Sequence, residues 1–446
     1  MPAVAQTLLR RTTCPHCWMK FAPADVLWIS SHADLLGDPR LGREEQQRFL
    51  PTRFDLDGNA LDAKGFVCQR LACPRCHLPI PRALVEIEPL FISILGNPAC
   101  GKSYFLTAMT WELRRILPKY FALSFMDADT VSNRSLNEYE ELLFLNPRSD
   151  DPVPLADLIR KTELQGDLYD SVMFGNQVVS YPRPFLFALR TQDSHPRHAA
   201  GEGLARLLCL YDNAGEHFQA GQDSTSSPVT QHLAQSRLLL FLFDPTQDQR
   251  FRKVCQEREG LPPTVLGNRA SRQESVLLEA AARVRRYTGL PEGAKIKQPL
   301  IVVVTKFDVW NKLLKDSSLQ EPRVGQDQVR GLDLERIESR SRAVRTLLST
   351  VCPEIVTAAE TFAQDVVYVP VSALGKLPAV QTESNALAIE PGNIKPVWVT
   401  VPLLYALCRW MRGLIPGLRP KQAGATAAGT AAKTAPAQPE KKPASL

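Results

Sequence analysis

Apolar positions along the chain fall into two patterns. Short continuous runs occur at Phe91–Leu95, Arg237–Phe243, Leu300–Val304 and Val366–Val371. Runs of this length bounded by turn residues predict strands buried on both faces, as in a parallel sheet. Pro184–Leu189 and Ala205–Tyr211 predict a hairpin, and Phe121–Phe125 is a shorter run ending at the acidic Asp127-Ala-Asp129. Elsewhere apolar residues recur at spacings of three and four. Phe105, Leu106, Met109, Leu113 and Ile116 predict a helix from Gly101 to about Leu117. Val276, Leu277, Ala280, Ala281 and Val284 predict another from Gln273 to Tyr287. A long helical stretch is expected over Leu334–Phe362, and a closing amphipathic helix over Val401–Leu418. Strands and helices of this kind make the fold class α/β. Residues 133–180 read as a long, polar and partly helical connection and 247–271 as loop-rich, and the Ala/Thr/Pro/Lys-rich residues 421–446 lack apolar anchors and are expected to be a disordered tail.

Composition changes this picture little. The 446 residues allow two or three domains, and 44% hydrophobic with 22% charged residues suits a globular protein with a real core. A net charge of +6 does not by itself argue for nucleic acid. Met1–Thr13 has no apolar signal core, and no run reaches the length of a transmembrane segment, so a cytoplasmic location is expected.

Cysteine spacing changes it more. Two Cys-x-x-Cys knuckles, Cys14-Pro-His-Cys17 and Cys73-Pro-Arg-Cys76, offer four thiolates, the ligand set of a closed tetrahedral zinc site. Residues 1–85 therefore predict a zinc module, with a polar, loop-like insertion over roughly Leu35–Asp62. It resembles the zinc-ribbon family, in which such knuckles on β-hairpins hold structural Zn²⁺. His16 and His77 beside the knuckles are alternative ligands, and Cys68 reads as a strand residue. A closed Cys₄ site does no chemistry; its expected role is partner docking or packing on the next domain.

The strand Phe91–Leu95 runs into Gly96-Asn-Pro-Ala-Cys-Gly-Lys-Ser103, which is G-x-x-x-x-G-K-S between a strand and a helix. Glycines let backbone amides turn inward onto phosphate oxygens, the lysine adds charge, the serine hydroxyl can ligate Mg²⁺, and the helix N-terminus favours an anion. The nucleotide candidates here are Gly96, Asn97, Cys100, Gly101, Lys102, Ser103 and Tyr104. The loop amides and Lys102 predict a lowered thiol pKa at Cys100, making it either an oxidation target or merely a permissive position. Downstream, Asp212-Asn-Ala-Gly215 is D-x-x-G at a strand end, placing Asp212 toward Mg²⁺ and Gly215 toward a γ-phosphate. Thr305-Lys-Phe-Asp308 follows the next buried strand; its carboxylate can accept both N1–H and the 2-amino group of guanine, while adenine would leave it unpaired at a cost of about 1–3 kcal/mol. Asp308 as a helix cap is the plainer alternative. Ser372-Ala373 follows the last strand.

Four motifs in this order, each at a strand end, resemble the P-loop GTPases of the translation-factor/Ras-like class, over about residues 88–418. The zinc ribbon, insertions and tail are similar to uncharacterised bacterial double-GTPase-associated proteins. The resemblance implies a mostly parallel six-stranded sheet within a nucleotide domain at 86–420, with GTP or GDP at the strand C-termini, Mg²⁺ at Ser103, and an Ala373 amide on guanine O6. It also implies a switch threonine on Mg²⁺, for which Thr162 is the candidate and Thr130 the second choice. Two departures stand out. Thr305 replaces the usual Asn, which predicts a weaker tie to the phosphate loop. Glu216, followed by His217, replaces the usual water-orienting Gln or His. A carboxylate beside the γ-phosphate is repelled, so His217 is expected to orient water and turnover to be slow without a protein partner. The chain is therefore expected to be a GTP-hydrolysing switch, with a GTP-binding scaffold of little turnover or an ATP-using P-loop protein as alternatives.

Overall fold

The computed structural model describes residues 8–159, 169–201, 203–212, 231–259, 271–325, 330–381, 386–411 and 413–418. Its centre is a seven-stranded sheet. In chain order the elements are β1 (Pro89–Gly96), α1 (Lys102–Phe121), β2 (Leu123–Asp127), α2 (Arg134–Phe144), β3 (Phe185–Thr191) and β4 (Ala205–Asp212). They continue with β5 (Leu238–Phe243), α3 (Gln249–Glu259), α4 (Glu274–Thr288), β6 (Leu300–Val304), α5 (Leu334–Val351), α6 (Pro353–Phe362), β7 (Val366–Pro370) and α7 (Val401–Arg409).

The strand order is β2-β3-β4-β1-β5-β6-β7. Pairings β4–β1, β1–β5, β5–β6 and β6–β7 are parallel. Pairings β2–β3 and β3–β4 are antiparallel, so the sheet is mixed. This corrects the expected six mostly parallel strands: the run after α1 becomes an edge strand, with Phe125 stacked on Phe187 of β3 at 4.6 Å between centroids. The reversal of β3 follows from the hairpin that joins it to β4.

Each face is buried differently. One face of the sheet packs Ile92, Ile94, Leu208, Leu210, Leu240 and Val303 against α1 and α7. On the other, β5 and β6 pack Phe241, Phe243 and Val302 against α4, α5 and α6. Still on that second face, Phe91, Leu186, Leu207, Cys209 and Tyr211 of β1, β3 and β4 meet the N-terminal module through Cys14, Trp18, Leu71 and Leu84. The long helical stretch divides at Cys352-Pro353, because proline has no N–H to continue a helix. The closing helix stops at Arg409 rather than Leu418; Gly413 (φ +99°) and Pro416 lie beyond it.

Each knuckle lies between paired strands, Thr12–Thr13 with Lys20–Phe21 and Leu71–Ala72 with Pro79–Ile80. The insertion is not loop alone, since Leu36–Asp38 pairs with Gly42–Gln46. Cys68 lies in a strand. Among the described residues no helix is long and apolar enough to cross a membrane.

Candidate nucleotide site and cysteine cluster

β1 delivers the chain into the centre of the sheet, so the glycine loop emerges between β4 and β5. A Cβ at Gly96 would lie 2.6 Å from the Leu242 carbonyl oxygen and 2.9 Å from Cys100 Sγ, so only glycine fits. Gly101 is left-handed at φ +90° and leads directly into α1. The Lys102 ammonium lies inside the loop, donating to the carbonyls of Gly96 at 3.0 Å and Asn97 at 2.9 Å. Asn97 turns away from it and donates to Gln247 Oε1 at 2.8 Å.

Asp212 sits beside β1, in register with Ile94. Ser103 Oγ donates to Asp212 Oδ2 at 3.3 Å, while Asp212 Oδ1 is buried without a hydrogen-bond partner. Burial raises the Asp212 pKa, with Lys102 and Ser103 opposing. A buried carboxylate oxygen lacking a partner next to a hydroxyl is a donor set that fits Mg²⁺, and the cradle that Gly96 keeps open fits phosphate. Gly215, Glu216, His217 and Thr162 lie outside the described residues. Thr130 is an exposed turn residue that does not line the neighbouring cavity.

That cavity, of about 210 Å³, joins the motifs. Ala99, Cys100 and Gly101 form one side and Thr305, Lys306, Asp308, Ser372 and Ala373 another. It is of a size for one heterocycle rather than a drug-sized ligand. Asp308 accepts from Ser372 Oγ, which in turn accepts from the Gly375 amide at 2.7 Å. Burial raises the Asp308 pKa, opposed by the Ser372 bond. Lys306 is left-handed (φ +55°), and its ammonium lies 2.7 Å from Asp244 Oδ2 and 3.1 Å from Thr246 Oγ1. Thr305 Oγ1 donates to the Cys100 carbonyl at 3.1 Å and lies 3.3 Å from that of Phe243, so threonine ties this loop to the glycine loop through one hydroxyl. The expected lowering at Cys100 is reversed. Its thiol is fully buried, and desolvation raises the pKa against Lys102.

Sequence reasoning missed the brace behind these loops. Asp244 and Thr246 hold Lys306, while Gln247 holds Asn97 and donates to Pro98 O at 3.1 Å. The available signal was an acidic residue closing the apolar run of β5. Also missed was the far wall of the cavity, built by Leu155, Leu374, Pro378 and Leu387.

At the other site the four knuckle sulfurs lie within 4.8 Å of one another and are buried. Cys14–Cys76 and Cys17–Cys73 sulfur separations are 3.8 and 3.7 Å. A tetrahedron with zinc–sulfur bonds of about 2.3 Å has edges of about 3.8 Å, whereas a disulfide needs about 2.05 Å, so the residues fit zinc. The histidines are engaged elsewhere: His16 Nε2 contacts Pro79 O at 3.1 Å, and His77 Nδ1 contacts Asp38 at 2.8 Å.

No family model matches this chain. SaeC of Mycolicibacterium smegmatis, whose name describes ESX-1 scaffolding and assembly, is 24% identical over 242 residues, 54% of this chain. The chain spans 52% of that relative's length. Among solved structures, the Ski7 GTPase-like domain of S. cerevisiae bound to GTP matches at 14% identity and TM-score 0.26, covering 67% of this chain and 46% of that one. The SRb-GTP/SRX complex of Chaetomium thermophilum matches at 14% identity and TM-score 0.21, covering 65% and 95%. Scores this low carry no argument, and the functional reading stands on this chain's own residues.

Proposed function

We propose that the protein is a Mg²⁺-dependent GTP-binding switch that hydrolyses GTP slowly, acting in the cytoplasm with a protein partner. In this reading residues 1–85 are a zinc-stabilised module for docking, 86–420 the nucleotide unit, and 421–446 a tether. The observation that carries it is the cavity bounded on one side by the glycine loop and on another by Asp308, a half-buried carboxyl just beyond the end of β6. The loop amides and Lys102 would hold the phosphates. Ser103 and Asp212 would hold Mg²⁺, which when bound neutralises charge building on the β- and γ-phosphates. Asp308 would accept from guanine N1–H and the 2-amino group, with Thr305 fixing its loop against Cys100 and the Ala373 amide facing O6. Gly215 would sense the γ-phosphate, and Thr162, Glu216 and His217 are the candidates that would complete the site around water.

The test is Asp308→Asn in the full-length chain. GTP affinity should fall about tenfold or more while a xanthosine nucleotide gains, because the amide donates where the carboxylate accepted. Unchanged GTP affinity would remove Asp308 from the site, and displacement of GTP by excess ATP would favour an ATP-using protein. A second reading, a GTP-binding scaffold with little turnover, is favoured by Glu216 following Gly215. The name of SaeC is consistent with it. Following the bound GTP through a single turnover separates the two.

A further inference from the structure

Residues 213–230, which carry Gly215, Glu216 and His217, lie outside the described residues, but both flanks of that segment are described. Tyr211 precedes it and His232 follows it, and their rings stack with centroids 4.7 Å apart at 18°. Trp18, the residue after Cys17, packs against both at 6.4 and 6.2 Å. The buried Tyr211 hydroxyl donates to Pro15 O, inside the first knuckle, at 2.5 Å and accepts from Trp18 Nε1 at 3.2 Å. The next residue is Asp212, which accepts from Ser103. Thus one residue links the turn between two sulfur ligands to the carboxylate at the phosphate loop.

We propose that the cysteine cluster and the nucleotide site are thermodynamically coupled through Tyr211, so that metal in the cluster tightens nucleotide binding and nucleotide tightens metal binding. This rests on the GTP-binding reading above. A Mg²⁺–nucleotide complex that fixes the Asp212 carboxylate also fixes the end of β4, and with it the Tyr211 hydroxyl. Metal in the cluster fixes Pro15, the partner of that hydroxyl. Each ligand orders an element the other also needs ordered, so the second to bind meets a smaller entropy cost. By linkage both affinities change by the same factor. The ring of Tyr211, packed against both Trp18 and His232, keeps the hydroxyl on Pro15.

The experiment measures zinc affinity of the full-length chain by competition with a chromogenic chelator, with and without saturating Mg²⁺·GTP. Occupancy by nucleotide is followed with a fluorescent GTP analogue. Bound nucleotide should raise zinc affinity about fivefold or more. Tyr211→Phe keeps the ring stack and removes the hydroxyl; the ratio should fall to about one while each ligand still binds alone. Equal zinc affinities with nucleotide demonstrably bound would overturn the coupling by itself. An unchanged ratio in Tyr211→Phe would overturn the route through Tyr211. Failure of the zinc-loaded wild type to bind any guanine nucleotide would overturn the functional reading and the coupling together. If Tyr211→Phe fails to fold, Trp18→Phe removes the indole donor that holds the Tyr211 hydroxyl and should lower the ratio, an unchanged ratio counting against the route.

Discussion

In the proposed reading Asp308 would place guanine choice and stability in opposition. Its carboxyl is half-buried beside Ser372, and desolvation raises its pKa above the ordinary 3.8. The folded state therefore binds the proton more tightly than the unfolded chain. The stability cost of the charge is absent below 3.8, grows as pH rises through the raised folded value, and is constant beyond it. Guanine recognition needs that same charged form, so nucleotide affinity should fall on acidification while this one group's stability penalty disappears. Asn cannot titrate. Nucleotide-free Asp308→Asn should thus melt above wild type at neutral pH, with the gap closing as pH falls toward about 4. Thermal melts of both proteins between about pH 4 and 7 check this; a gap independent of pH would mean that the carboxyl is hydrated.

At the scale of elements, the cavity has two origins. Its floor comes from loops at the ends of β1, β6 and β7, and its roof from a small sheet outside the main one. In that sheet Val153–Pro154 pairs with Leu387–Ile389, which pairs in turn with Ala379–Val380. Tyr104 at the start of α1 ties the roof down, donating its hydroxyl to Leu155 O at 2.5 Å. Leu387→Ala removes apolar wall worth on the order of 1.5–2 kcal/mol, so a labelled GDP should dissociate about tenfold faster in stopped flow. The guanine preference proposed for Asp308 should persist, and an unaltered release rate would place the nucleoside outside the roof. The floor was legible in the sequence because each motif is contiguous: Gly96 to Ser103, Asp212, and Thr305 to Asp308 each sit at the end of an apolar run. The roof was not, since Leu155 and Leu387 are separated by most of the nucleotide unit and carry no pattern. The edge position of β2 was hidden for a related reason. Phe121–Phe125 signals an apolar run, but periodicity names an element's type and not its neighbour. Asp244 was visible as a strand end, yet its hold on Lys306 depends on two strands being adjacent, which only the assembled sheet supplies.

Across the whole molecule, the N-terminal module does for part of the sheet what helices do elsewhere. Buried parallel strands need cover on both faces. On the second face β5 and β6 receive it from α4, α5 and α6, but β1, β3 and β4 receive it from the knuckles together with Val172, Val179 and Tyr181 of the paired strands Tyr169–Phe174 and Gln177–Pro182. Phe91, Leu186, Leu207 and Tyr211 each lie under that cover. Fully burying such a side chain is worth about 1.5–3 kcal/mol, so partial exposure of several of them removes a large share of the ~5–15 kcal/mol that stabilises a folded protein. The boundary proposed near residue 85 would then not be a division of folding. A fragment of residues 86–420 should fail to give a monodisperse, cooperatively melting protein by size-exclusion chromatography and calorimetry, with or without Mg²⁺·GTP. Cys14→Ser with Cys73→Ser in the full chain should lose zinc by metal analysis and lower the melting temperature of the whole molecule in a single transition, because the same cluster of side chains belongs to both parts. Two well-separated transitions, or a fragment that folds and binds nucleotide normally, would show that the sheet can close that face without the knuckles.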